Sequence, residues 1–166
     1  MWVVLKYKNN ELNFLKKDLK KKLGQQPEIY QPKIKLQRLI KNKIKFIERN
    51  LLEDYIFCYH EKFCDKKLIL LLNNSRGLKY FLRNCHTNQN EIINFIKSCK
   101  KNENNDGYIK QEFFNFTNFT KGIFIDGPFA NLIFNVIQNQ SKRIKALIGN
   151  VKITIRNDSS FLYRPV

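Results

Sequence analysis

Leucines at positions 12, 15, 19 and 23 recur at intervals of three and four, while Lys16, Lys17, Lys20 and Lys21 fall largely off that line. The spacing predicts an amphipathic helix over 11–23, entered from Asn9-Asn10, ended by Gly24 and basic on its outer face. Ahead of it, residues 2–7 are rich in β-branched and aromatic side chains and read as a strand. After Pro27 the period changes to two. Ile34 and Leu36 interleave with Lys33 and Lys35, then Ile44 and Phe46 interleave with Lys43 and Lys45, on either side of Lys41-Asn42. That alternation predicts a β-hairpin with one basic face. Residues 55–60 are apolar on both parities and read as a central strand. A short helix is expected over 63–72 and a strand over 78–82. Asn88 and Glu91 have the spacing of a capping box, with Ile92, Ile96 and Cys99 as the helical stripe behind it.

Residues 100–112 break the pattern, being polar, mixed in charge and carrying the turn signal Asp106-Gly107. Short strand-like pieces follow at 121–126, 132–138, 143–148, 151–156 and near Phe161–Tyr163, a spacing that suggests a small barrel. The fold class expected is α+β. An N-terminal module spans 1–100, a linker 101–114 and a C-terminal β-module 115–166.

Charge changes the picture of what such a chain binds. The formal net charge is +17, with 31 Lys/Arg against 14 Asp/Glu, and the excess is concentrated in residues 1–100. Positive charge of this size favours a polyanion, most often nucleic acid. A/T-rich coding also enriches Lys, Asn, Ile and Phe, so composition by itself supports nucleic-acid contact without establishing it. The hydrophobic share of 43% with 13% aromatics is that of a folded chain. The longest aliphatic run, Leu68–Leu72, is far shorter than the roughly 20 residues of a membrane span, and the N-terminus has no signal-peptide pattern. No membrane contact is expected, and the compartment expected is the cytoplasm.

Four cysteines (Cys58, Cys64, Cys85, Cys99) and two histidines (His60, His86) form no C-x-x-C couple, so free thiols are expected rather than a metal site. There is no glycine-rich phosphate loop, no G-x-S-x-G and no H-E-x-x-H, and the carboxylates form no spaced pair suited to acid–base or metal chemistry. The chain reads as a binding protein with no catalytic residues, no metal and no cofactor.

Four stretches, in order, carry a resemblance to a known family. They are Trp2-Val3-Val4 at the start, Pro32 with the basic hairpin leading into Glu48–Phe57, Ser75-Arg76-Gly77-Leu78-Lys79-Tyr80-Phe81, and Ile125-Asp126-Gly127-Pro128-Phe129-Ala130. Together they resemble the NusG family of transcription elongation factors, whose N-terminal NGN-type α/β sandwich, built on an antiparallel sheet, is tethered to a C-terminal KOW domain, a small SH3-like β-barrel. Glu53-Asp54 stand where the family's housekeeping pattern has Pro-Gly, and Phe134 where it has Gly. Those departures, with the basic N-terminal module, favour a specialised RfaH-like paralog, with the family's housekeeping factor as the alternative.

The resemblance implies a monomeric, non-enzymatic elongation or antitermination factor that docks on the β′ clamp helices of RNA polymerase. It places the polymerase contact at Trp2, Leu52, Tyr55 and Phe57. It gives the basic surface a task beside the non-template DNA strand, through Lys16, Lys17, Lys20 and Lys21 of the first helix and Lys33, Lys35, Lys43 and Lys45 of the hairpin. A second partner, a small-subunit ribosomal protein or termination factor Rho, is implied for the KOW module at Phe129, Ile148 and Asn150. The same residues admit a KOW-bearing RNA- or ribosome-binding protein without polymerase contact.

Overall fold

The computed structural model describes residues 1–40, 43–114, 120–140, 143–156 and 161–166. The expected hairpin tip at Lys41-Asn42 lies outside them. Helix and strand are mixed and the paired sheets are antiparallel, an α+β structure. The chain divides into two compact units, Met1–Pro32 with Asn50–Lys101, and Lys33–Arg49 with Asn102–Val166.

In the first unit, β1 (Trp2–Tyr7), α1 (Leu12–Leu23) and β2 (Glu28–Tyr30) precede the excursion into the second unit. Leu15, Leu19 and Leu23 of α1 are fully buried, as the stripe requires. The N-cap is Glu11 rather than Asn9 or Asn10, and it supplies no side-chain cap bond. Helix α1 stops at Gly24, whose N–H donates to the Lys20 carbonyl. The chain returns to this unit at Asn50, and β5 (Tyr55–Tyr59) then pairs antiparallel with both β1 and β2.

The helix expected over 63–72 is broken in two. A 3₁₀ turn covers Glu61–Cys64, and α2 (Lys66–Leu72) restarts from Asp65, whose side chain accepts the Lys67 N–H. Asp65 is a better N-cap than a helix-interior residue, which explains the break. Strand β6 (Leu78–Phe81) pairs with β1, and α3 (Gln89–Lys101) buries Ile92, Ile96 and Cys99. The sheet order is β2-β5-β1-β6. Strand β5 is internal, as expected, and its face bearing Ile56 and Cys58 is entirely buried, in one cluster with Leu15, Leu19, Leu23 and Phe63.

In the second unit, β3 (Lys33–Ile40) pairs with β4 (Lys43–Asn50) as a two-stranded sheet. A five-stranded antiparallel sheet follows in the order β10-β9-β8-β7-β11, from β7 (Lys121–Phe124), β8 (Ile133–Gln140), β9 (Arg143–Ile148), β10 (Val151–Arg156) and β11 (Tyr163–Pro165). Its core holds Phe124, Phe134, Ile144, Ala146, Ile155 and Tyr163. Between Asn102 and Phe114 the chain is built into this unit. Ile109 donates its N–H to the Lys33 carbonyl at 2.8 Å, and Ile109 and Phe114 are buried. Asp106-Gly107 does form a turn, in which the Asn104 side chain accepts the Asp106 and Tyr108 N–H groups.

Candidate functional site

Strand pleating sorts the first sheet into two unlike faces. Opposite the buried Val3, Leu5, Ile56 and Cys58, the other parity of β1 and β5 pairs Trp2 with Tyr59, Val4 with Phe57 and Lys6 with Tyr55. Lys6 is also opposite Tyr80 on β6. This second face is aromatic and only partly covered. Trp2 and Tyr59 have ring centroids 5.5 Å apart, and Tyr59 is 38% exposed. Tyr55 and Tyr80 share a hydroxyl–hydroxyl hydrogen bond of 2.8 Å, Tyr80 is 44% exposed, and the Lys6 ammonium sits 4.9 Å from the Tyr55 ring centroid. Phe57, between the two ends, is buried against Phe95 of α3 with centroids 5.5 Å apart.

Three of the four residues expected at the polymerase contact therefore share one sheet face, and Leu52 lies half-buried in the turn before β5. Their burial separates them. Phe57 is a core side chain, whereas Trp2, Leu52 and Tyr55 are half-buried. Trp2 is held by its backbone, its N–H donating to the Gln89 Oε1 at 3.1 Å and its carbonyl accepting from Gln89 Nε2 at 2.7 Å. Residues missed from the sequence are Tyr59, Tyr80 and Lys6. Tyr55, Phe57 and Tyr59 alternate at period two, and that signal was available. Tyr80 reaches the face only through the β1–β6 register, which nothing local encodes.

The lysines divide. On α1, Lys17, Lys20 and Lys21 are exposed, with Lys17 and Lys21 opposite the leucine stripe, whereas Lys16 is half-buried at the stripe's edge. The hairpin does not present one basic face. Lys35 lies over the Phe46 ring at 5.2 Å and Lys33 pairs with Glu48 at 3.9 Å, so Lys33, Lys35, Phe46 and Glu48 share a face. Alternation along β4 then turns Lys43 and Lys45 to the opposite one. The reason is that Ile34 and Leu36 are buried whereas Ile44 is 66% and Phe46 59% exposed, so β4 does not repeat the burial of β3. The α1 and hairpin lysines also belong to different units.

In the second sheet, Phe129 is 40% exposed, with its ring 5.7 Å from that of Phe124. Ile148 is half-buried and Asn150 is exposed in the two-residue Gly149-Asn150 turn between β9 and β10. Continuing the β8–β9 register from Asn135 opposite Leu147 brings both turns to the same end of the sheet. The Asp126–Ala130 turn is fixed from inside. The buried Asp126 carboxylate accepts the N–H groups of Leu162 and, at 3.0 Å, Gln37, and Gly127 donates to the Gln37 carbonyl at 2.8 Å. Gly127 has φ of 75°, and a Cβ there would meet the Phe161 ring at 2.3 Å. Burial raises the Asp126 pKa above its ordinary value, against the opposing effect of the two amide bonds and the Arg38 charge.

Among the described residues no group of three or more His, Cys, Asp and Glu is placed to hold a metal, and no helix is long and apolar enough to cross a membrane. No protein-family profile and no curated protein matches the chain. Solved structures similar to it include the following two. A chain of the MjSpt4:Spt5 complex in conformation B is 10% identical over 100% of this chain and 99% of its own length, with a TM-score of 0.30. Thermotoga maritima NusG is 13% identical over 93% of this chain and 91% of its own, with a TM-score of 0.34. At these identities and scores neither likeness assigns a role.

Proposed function

We propose that this chain is a transcription elongation or antitermination factor of the NusG type, an NGN-like module carrying a KOW-like barrel, that binds RNA polymerase and performs no catalysis. The observation that carries the reading is the half-exposed aromatic face of the first sheet, where Trp2 and Tyr55 stand with Tyr59 and Tyr80 on a surface whose reverse side is fully buried. Large, stiff aromatic side chains at partial exposure are the kind that anchor protein interfaces, and an apolar sheet surface accepts the apolar stripe of a partner helix. The partner of this face is the pair of β′ clamp helices, with Leu52 at its margin. Holding the clamp closed disfavours pausing and termination. The exposed α1 lysines and those of the hairpin neutralise phosphates of the non-template strand. The end of the barrel bearing Phe129, Ile148 and Asn150 takes a small-subunit ribosomal protein or Rho. Phe134, Glu53 and Asp54 favour a specialised RfaH-like paralog acting as a monomer in the cytoplasm.

The test is co-purification of RNA polymerase with the tagged chain after Trp2→Ala and Tyr55→Ala, with folding followed by circular dichroism. Loss of polymerase from a folded double variant is the expected result. Retention at the parent level overturns the reading and leaves an RNA- or ribosome-binding protein without polymerase contact.

A further inference from the structure

The outer face of β8, β9 and β10 carries an arrangement that stability alone does not favour. Arg143 on β9 stands directly opposite Arg156 on β10, and Lys145 and Lys152 lie on the same face, facing Thr154 and Leu147. All four cations are exposed. Like charges directly opposite each other in an antiparallel pair are destabilising. Among the described residues no carboxylate pairs with any of them. From Lys121 to the C-terminus the sequence holds only Asp126 and Asp158 as acidic residues, and Asp126 is buried. Among the described residues the face is a concentration of positive charge with no carboxylate paired to it.

We infer that this sheet face binds single-stranded RNA. Cations set about 7 Å apart along a strand and about 5 Å apart across strands track a flexible polyanion. Arginine adds a planar fork of donors suited to phosphate. The Arg143 Nε–H donates to Gln140 Oε1 at 2.6 Å, which orients the guanidinium. The remaining polar groups of the face separate nucleic acid from an acidic protein. Gln138 opposite Lys145 and Thr154 beside it offer donors and acceptors together, as base edges and the ribose 2′-OH require and a run of carboxylates does not. A three-stranded sheet about 10 Å across does not enter the deep, narrow major groove of an RNA duplex, so the fitting partner is an unpaired strand. The site lies on the barrel's outer sheet face rather than on the aromatic face proposed for polymerase, and it does not depend on that contact.

The experiment is fluorescence anisotropy of the full chain with a labelled uridine-rich RNA of about 20 nucleotides, across salt from about 50 to 200 mM. Four substitutions together, Arg143→Gln, Lys145→Gln, Lys152→Gln and Arg156→Gln, are compared with a charge-matched control at exposed lysines outside either proposed surface, Lys66→Gln, Lys67→Gln, Lys97→Gln and Lys101→Gln. The expected result is a loss of about tenfold or more in affinity and a salt slope shallower by about 2–3 for the barrel variant, since each lost phosphate contact removes about 0.7. The control is expected to stay within about threefold of the parent, with DNA of the same sequence binding more weakly than RNA. Equal losses in both variants would make net charge the whole cause and overturn the site, as would a barrel variant that binds like the parent. Equal affinity for the DNA overturns the assignment to RNA, and equal competition by a polyglutamate of the same charge overturns a nucleic-acid site. Arg156→Gln alone separates binding from folding, because relieving the like-charge pair is expected to hold or raise the melting temperature while RNA affinity falls.

Discussion

The Phe134 ring lies across Gly122, its cross-strand partner in β7, so closely that a Cβ on Gly122 would sit 2.4 Å from Phe134 Cζ. Phe134 is fully buried, with its ring centroid 4.9 Å from Phe124 and 5.8 Å from Tyr163. The glycine supplies the space and the aromatic fills it. Gly122→Ala is therefore expected to destabilise the five-stranded sheet by about 1–3 kcal/mol through overpacking, and Phe134→Ala by about 3–5 kcal/mol through the cavity it leaves. Urea denaturation of the singles and the double checks this. The two changes share one space, so their sum is expected to exceed the double by at least about 0.5 kcal/mol. Strict additivity would refute the pairing.

That pair marks what could and could not be read from the chain. Period-two and period-three-to-four patterns located the strands and helices, because each is a local rule about which side chains face the core. The oddity of Phe134 was visible as a departure from a pattern. Its cause was not, because Gly122 stands opposite only once the β7–β8 register is set. The hairpin strands pair as expected, but the single basic face expected of them is absent for a related reason. Alternation of Ile44 and Phe46 with lysines predicts two unlike faces but not which one is covered, and on β4 the apolar one is left outside. Segment 102–114 reads as a linker from its polarity. Its burial rests on Ile109 and Phe114, two apolar residues in a polar stretch, and on a backbone bond to Lys33 that no periodicity encodes.

Asp126 offers a test through pH. Its two carboxylate oxygens serve different amides, those of Leu162 and Gln37, so Asp126→Asn can satisfy only one, at an expected cost of about 1–3 kcal/mol. Because burial raises its pKa above 3.8, the folded state holds the proton more tightly than the unfolded chain. The stability this group contributes is fully present below its unfolded value and declines as pH rises through the raised folded value. Thermal melts of both proteins from acid to neutral pH should show the parent's advantage over Asp126→Asn shrinking as pH rises across that range. An advantage that grows instead would contradict the raised pKa.

The cysteines should titrate unequally with a thiol reagent. None of the four forms a disulfide, Cys64 is exposed, and Cys58, Cys85 and Cys99 are buried. Burial pushes the Cys58 thiol up to about 12, which leaves almost no thiolate near neutral pH. Native protein treated with an aromatic disulfide at neutral pH is expected to release about one equivalent promptly, and the remainder only on unfolding. Prompt release of two or more would show that the core around β5 opens more readily than its burial implies.

The aromatic face makes the sharpest separation between packing and contact. Phe57 is 4% exposed and packs on Phe95, so Phe57→Ala is expected to cost about 3–5 kcal/mol and to weaken any partner only by unfolding the sheet. Tyr55 is half-buried at the margin, with its hydroxyl spent on Tyr80 rather than on a core group. Tyr55→Ala should leave a cooperative melt with a smaller loss of stability, and lose polymerase all the same. Chemical denaturation of both variants beside polymerase co-purification supplies the two readouts. Should Tyr55→Ala lose stability as Phe57→Ala does, or keep its polymerase while folded, the half-buried ring at Tyr55 would be packing and the docking surface would have to be sought elsewhere.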